Sequence, residues 1–208
     1  MIALGRVSVN GKKINTPVTF VSKNDSVLVD GKKITAKQQS QIYMFHKPIG
    51  CICSAKDPEG RKTIYDILPP QYRNLKYIGR LDYNTSGLLL LTNDGALARE
   101  MTLPSAGIER VYVAKVGGAM TMDDAHFARV IKPVLKGVKI DGVIYRPMKV
   151  RRLNASDIEI TITEGKKNEI RIVFEHVKLP IRKLHRISYG KHRLKDLPSG
   201  EIKPIIKA

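Results

Sequence analysis

The stretch Tyr77-Ile78-Gly79-Arg80-Leu81-Asp82-Tyr83-Asn84-Thr85-Ser86-Gly87-Leu88-Leu89-Leu90-Leu91-Thr92-Asn93-Asp94-Gly95 decides how this chain is read. Two apolar runs, Tyr77-Ile78 and Leu88 to Thr92, bracket a polar connection that contains two glycines. Short apolar runs bounded by turn residues are the pattern of buried strands. Asn93-Asp94-Gly95 is a turn signal that stops the second run. The connection therefore presents a carboxylate, Asp82, beside a guanidinium, Arg80, at the end of a strand. On residue types alone, an ordinary loop with Asp82 or Asn84 closing an Asx-turn explains it better than a catalytic role does.

Outward from this stretch the texture is that of many short strands. Ile42 to Phe45, Arg110 to Val116, Tyr145 to Leu153 and Asp157 to Thr163 are strand candidates. Ala96 to Met101 reads as a short helix, and Thr121 with Asp124 offers a capping box for a helix through Val130. Ile170, Val173, Phe174 and Val177 share one face of a further helix. Strands outnumber helices and turn signals join several of them. The expected class is α+β, a largely antiparallel mixed sheet with flanking helices. Before Ile42, Gly5 to Lys13 and Ser26 to Gly31 each read as a short strand running into an Asn-Gly or Asp-Gly turn. The expected organisation is a small β-containing unit over 1–35, a polar linker over 36–41 and a main domain over 42–208.

Charge narrows the partners. The 208 residues carry 37 Lys+Arg against 19 Asp+Glu, a net of +18. Residues 1–40 hold a net of +5 and residues 165–208 a net of +8, so the two ends supply most of it. Clustered cations point to a polyanion, since folding itself does not require them. A DNA-binding protein would rest on that charge alone, because no helix-turn-helix or zinc pattern is present. Cys51 and Cys53 read as two reduced thiols, and the five histidines lack metal-ligand spacing. No metal and no cofactor is expected. The first twenty residues lack a signal-peptide apolar stretch, and no run reaches the ~18 apolar residues of a membrane helix. A cytoplasmic protein with no membrane partner is expected.

The run Gly79 to Gly95, seventeen positions long, closely resembles the active-site motif of the RsuA/RluB group of ribosomal RNA pseudouridine synthases. Further stretches resemble the group's other motifs in the expected order. They are Lys47-Pro48-Ile49-Gly50, Asp57-Pro58-Glu59-Gly60-Arg61-Lys62-Thr63, Glu109-Arg110-Val111-Tyr112, Glu164-Gly165-Lys166-Lys167-Asn168-Glu169-Ile170-Arg171 and Leu184-His185-Arg186-Ile187-Ser188-Tyr189-Gly190. The resemblance covers residues 42 to about 204 and implies the pseudouridine synthase fold. Residues 1–35 resemble the strand half of the small α-L RNA-binding module that often precedes this domain. The chain begins where the family usually has two helices, so a truncated module is expected. In the late motif, Asn168 and Glu169 stand where the family often has a basic residue and a glutamine.

What the resemblance implies is isomerisation of a uridine in ribosomal RNA, with large-subunit RNA the preferred substrate by the RluB-like texture of the motifs. Asp82 is then the nucleophile, Tyr112 the ring stacked on the base, Leu184 a pocket wall and Arg171 the cation that orients the carboxylate. Arg80, Lys47, Arg6, Lys12, Lys166, Lys167 and Arg186 are expected to face RNA. The chemistry suits an aspartate, because its side chain is ionised at neutral pH without an adjacent base. Whether it attacks the ribose or works through a glycal-like intermediate stays open. So does the alternative of a catalytically silent ribosome-assembly factor on the same fold. A monomer is expected, acting on free ribosomal RNA or on a precursor particle.

Overall fold

In a computed structural model of the chain, residues 1–22, 24–34, 39–118 and 122–205 are described. The chain divides into two compact units, Met1–Gln39 and Ser40–Ala208. The first is an antiparallel sheet of β1 (Val7–Val9), β2 (Lys12–Lys13), β3 (Val27–Val29) and β4 (Lys32–Lys33), in the order β2-β1-β3-β4. Asn10-Gly11 and Asp30-Gly31 close its hairpins with positive φ at all four residues. Two-residue hairpin turns of this kind demand that conformation, which explains the residue choice. Residues 36–38 of the linker expected over 36–41 lie outside the described residues.

The second unit carries β5 (Ile42–Lys47), α1 (Ile64–Ile67), β6 (Lys76–Ile78), β7 (Thr85–Thr92), α2 (Gly95–Thr102) and β8 (Arg110–Val116). It continues through α3 (Asp124–Val130), α4 (Lys132–Lys136), β9 (Val138–Ile140), β10 (Val143–Tyr145), β11 (Lys149–Arg152) and β12 (Asp157–Ile162). It closes with α5 (Glu169–His176), β13 (Ile181–Tyr189), β14 (His192–Arg193) and β15 (Ile202–Pro204). The main sheet runs β11-β12-β8-β13-β7-β5-β15, with β14 on β13 and β6 on β7. Its β13–β7 pair is parallel and its other strand pairs are antiparallel. This is the α+β class expected from the sequence.

Three local readings are corrected. Tyr145 to Leu153 is not one strand: β10 ends at Tyr145 and β11 starts at Lys149, with Pro147, which has no backbone N–H to donate, in the break. The helix of Asp124–Val130 is capped by Asp123, whose side chain accepts the His126 N–H; Thr121 lies outside the described residues. The longest strand, β13, was not read at all, because charged residues interrupt its apolar pattern.

β7 explains its own leucine run. Leu89 and Leu91 pack into the larger core with Phe45, Ile160 and the α5 residues Val173 and Phe174. Leu88 and Leu90 pack on the other face with Ile78, Ala98, Tyr189 and Leu197. A strand buried on both faces reads as a continuous apolar run without alternation. One edge of β7 is taken by β5. The other edge pairs first with β13 over residues 85–87 and then with β6 over residues 90–92.

At that fork the backbones come close. A β-carbon at Gly87 (φ +111°) would run into the backbone of Arg186, its register partner on β13. The Arg186 side chain fills the fork: it is 1% exposed, and its Nε donates to the Leu88 carbonyl at 2.7 Å. Its guanidinium also lies over the rings of Tyr112 and Tyr189, 5.9 and 5.2 Å from their centroids. Lys47, at the end of β5, is 0% exposed. Its ammonium donates to the carbonyls of Pro48 (2.9 Å), Asp82 (3.2 Å) and Thr85 (2.9 Å), one for each of its protons. Burial pushes Lys47 below the ordinary lysine range, and nearby Cys51, Cys53 and Asp82 pull it partly back. Lys47, expected to face RNA, is thus structural: its donors are spent on main-chain carbonyls inside the protein. Arg186, likewise expected to face RNA, is anchored by its Nε on the Leu88 carbonyl and is buried rather than exposed.

Two outcomes follow for stability. Gly87→Ala combines a backbone clash with left-handed strain and should lower unfolding free energy by ~3 kcal/mol or more; a urea midpoint equal to the wild type's would contradict this. Lys47→Met keeps the volume but takes the ammonium away from three carbonyls, of which that of Asp82 keeps the Thr85 N–H; a buried acceptor left unpaired costs about 1–3 kcal/mol. Its thermal transition should drop clearly, whereas an unchanged transition would mean that water replaces the ammonium.

Candidate active site

The connection between β6 and β7 is polar apart from Leu81, which enters the larger core, and neighbouring backbone and side chains tie it down. Cys53 Sγ meets both the N–H and the carbonyl of Leu81, each at 3.4 Å. Gly50 N–H donates to the Tyr83 carbonyl at 3.0 Å, and Thr85 N–H to the Asp82 carbonyl at 3.1 Å. With the Lys47 ammonium on the Asp82 and Thr85 carbonyls, the backbone on both sides of Asp82 is fixed. Its side chain is not. Among the described residues the half-buried Asp82 carboxylate accepts no hydrogen bond and makes no ion pair within 4.0 Å. The connection is a turn, but its hydrogen bond is between main-chain groups and the carboxylate does not close an Asx-turn.

That carboxylate borders two adjoining cavities. One, of about 520 Å³, is lined by the 79–85 loop, Arg110 and Tyr112 of β8, the segment from Glu164 to Arg171, and Leu184 and Arg186 of β13. The other, of about 1110 Å³ and more open, continues past Arg80, Asp82 and Tyr83 toward Asp57, Arg61, Lys167 and His176. The sheet register sets the floor of the first. Leu184 pairs with Thr85 on one side and Ala114 on the other, and Tyr112 pairs with Arg186. Tyr112 and Leu184 are each 6% exposed, giving an aromatic and an aliphatic surface beside Asp82.

Arg171 reaches the same cavity from the first turn of α5. Its Nη1 donates to the Ile181 carbonyl and its Nη2 to the Asn84 carbonyl, both at 2.9 Å. Burial lowers its pKa and the charge of Asp82 works against that shift. The guanidinium therefore ties β13 to the loop beyond Asp82 and acts on the carboxylate through space. The exposed Arg80 and Lys167 border both cavities. Lys166 lines the first, where its ammonium is paired with Glu164. Arg6 and Lys12 belong to the first unit; Arg6 forms a two-pronged pair with Asp30, and Lys12 is exposed on β2.

Sequence reasoning passed over several groups here. Arg110, 5% exposed, donates to the Thr163 carbonyl and the Tyr189 hydroxyl, and stacks on the Tyr189 ring. Thr85 Oγ1 and Arg186 Nη2 are buried without a hydrogen-bond partner, although both residues line the cavity. Glu164 and Glu169 line it as well. The signal for Arg110 was present, since it alternates with Tyr112 along β8. In all, seven cations and three carboxylates line the smaller cavity, a balance that favours an anionic ligand. Among the described residues no cluster of His, Cys, Asp or Glu could hold a metal ion, and no helix is long and apolar enough to cross a membrane.

The arrangement can seat a flat, polar ring against an aromatic and an aliphatic side chain, with a carboxylate on a fixed backbone beside the ring or its attached sugar. Comparison with known proteins gives the family. An RNA pseudouridine synthase of Rickettsia typhi is 37% identical over 209 residues, covering 99% of this chain and 83% of the relative. The ribosomal large subunit pseudouridine synthase B of Bacillus subtilis is 32% identical over 211 residues, covering 99% and 84%. A crystal structure of a pseudouridylate synthase superposes with a TM-score of 0.72 at 27% identity, covering 99% of this chain and 87% of that one. The RNA pseudouridylate synthase model matches residues 41–176, a span that contains the Asp82 loop, Tyr112 and Arg171. The chain belongs to the RNA pseudouridylate synthase family.

Proposed function

We propose that this enzyme converts one uridine of large-subunit ribosomal RNA to pseudouridine, with Asp82 as the nucleophile. The observation that carries the reading is the Asp82 carboxylate itself. Its backbone is clamped on both sides, its oxygens are unpaired among the described residues, and it borders a cavity floored by Tyr112 and Leu184. A structural aspartate at a turn spends its oxygens on nearby N–H groups; this one keeps them for something else. Relatives named for the ribosomal large subunit support the choice of RNA.

The reaction breaks the bond from ribose C1′ to uracil N1 and forms one from C1′ to C5. The C5 proton leaves and N1 gains a proton, so the product is an isomer and no redox partner is needed. The uridine must leave its stack, at a cost of a few kcal/mol. Arg80 and Lys167 along the open cavity, and the positive surplus of the chain, offset that by holding phosphates. Tyr112 and Leu184 keep the detached uracil in the cavity while it turns. Arg171 holds the loop and favours the ionised aspartate. On this reading the enzyme works as a monomer, since one chain supplies every residue named, and in the cytoplasm, where its ribosomal RNA substrate lies.

The competing reading, a silent assembly factor, predicts that the carboxylate is dispensable. Complementing a host strain deleted for this gene with Asp82→Asn, and mapping pseudouridine in its ribosomal RNA, separates the two. Modification should vanish at one large-subunit uridine, on the order of 10³-fold or more in rate, while RNA affinity stays within a few-fold. Full modification by the variant would remove Asp82 from the mechanism.

A further inference from the structure

The smaller cavity contains a second acidic feature that the reaction above does not use. Glu164 lies just beyond β12 and Glu169 opens α5; they are 9% and 3% exposed. Glu164 accepts the Arg146 N–H at 3.0 Å and the Lys166 ammonium, with the Arg146 guanidinium 3.7 Å away. Glu169 accepts the Lys166 N–H at 2.9 Å. Both carboxyl groups are buried at Lys166, Glu169 on its N–H and Glu164 on its ammonium, and there they face each other as partners for a hydrogen bond. Two ionised carboxylates cannot share such a bond, and burying them side by side favours a proton on one of them. Glu164 is faced by two cationic side chains and Glu169 by a single amide, which puts the proton on Glu169.

The titration directions agree. Burial alone would raise Glu164, but the bonds from Glu169, Lys166 and the Arg146 amide hold it below the usual carboxylate range. Burial and the bond to Glu164 push Glu169 up to about 7. Lys166, whose ammonium also lies over the Tyr145 ring, lowers both, with the shift on Glu164 and against that on Glu169. Two residues after Glu169 comes Arg171, whose guanidinium grips the Asp82 loop through Asn84.

We propose that Glu169 is a positioning residue that must keep its proton, because the Glu169–Glu164 bond fastens the 165–168 loop and the first turn of α5 that sets Arg171 against the Asp82 loop. The proposal rests on reading this cavity as the uridine site. The sign follows from an acid whose folded-state pKa lies above its unfolded value. The bond is intact at low pH, weakens as pH rises through about 7, and becomes like-charge repulsion above that. Turnover should therefore decline in mildly alkaline solution.

The test is kcat/KM for pseudouridine formation from pH 6 to 8.5 in wild type and Glu169→Gln, whose amide donates to Glu164 at every pH. A single group titrating near 7 should lower the wild-type value about tenfold between pH 6 and 8, and Glu169→Gln should abolish that decline. Glu169→Ala, which cannot donate, should be impaired across the range. Alongside, ¹³C-carboxyl NMR of the RNA-free protein, with Glu169→Gln assigning the signal, should show Glu169 titrating near 7. An equal decline in Glu169→Gln, or a Glu169 signal titrating near 4, would overturn the proposal. If neither protein makes pseudouridine at any pH, the functional reading fails instead, and the NMR titration still decides where the proton sits.

Discussion

The Lys47 ammonium, sealed inside the protein against the carbonyls of Pro48, Asp82 and Thr85, is the constraint on which the site depends. A buried cation without a carboxylate is expensive unless dipoles surround it, and here the dipoles belong to the loop that presents Asp82. The need to satisfy the charge and the need to hold the loop are met by the same three bonds. Cys53 adds a second hold on Leu81, one residue before the aspartate. The carboxylate is thus free while its backbone is not, the condition under which a nucleophile meets its target without a reorganisation cost.

Around that clamp the sheet supplies the rest by register. β7 changes partner from β13 to β6 at the point where Gly87 passes Arg186, and this crossing brings Leu184, Thr85 and Tyr112 to one floor. α5 brings Arg171 to the opposite wall. The site combines a rigid strand floor, a clamped loop and a helix start whose seating depends on a shared proton. Of these the helix start is the one whose electrostatics respond to pH near neutrality.

Much of this was legible before the structure. The Leu88 to Leu91 run reads as a strand because both faces of β7 are buried, and Asn93-Asp94-Gly95 marks where it stops. Asp82, Tyr112 and Arg171 were singled out by resemblance to a motif series, and the fold brings them to one cavity. Lys47, expected at the RNA surface, is sealed inside, and Arg186 is buried in the cavity wall. Charged residues read as exposed by default, and nothing in a linear sequence shows that distant carbonyls will pair them. β13 was missed for the related reason that an inward-facing arginine breaks the apolar alternation. Glu169 stood out only as an acid where the resemblance expects glutamine; its partnership with Glu164 depends on how the 165–168 loop folds back.

The central claim is that Asp82 isomerises a uridine of large-subunit RNA, and the atom balance offers a direct measurement. Large-subunit RNA transcribed with uridine tritiated at C5 should release one tritium per molecule to water when treated with the wild-type enzyme, since the C5–H bond is replaced by C5–C1′. Asp82→Asn should release none. Release undiminished by Asp82→Asn, or confined to small-subunit RNA, would contradict the account.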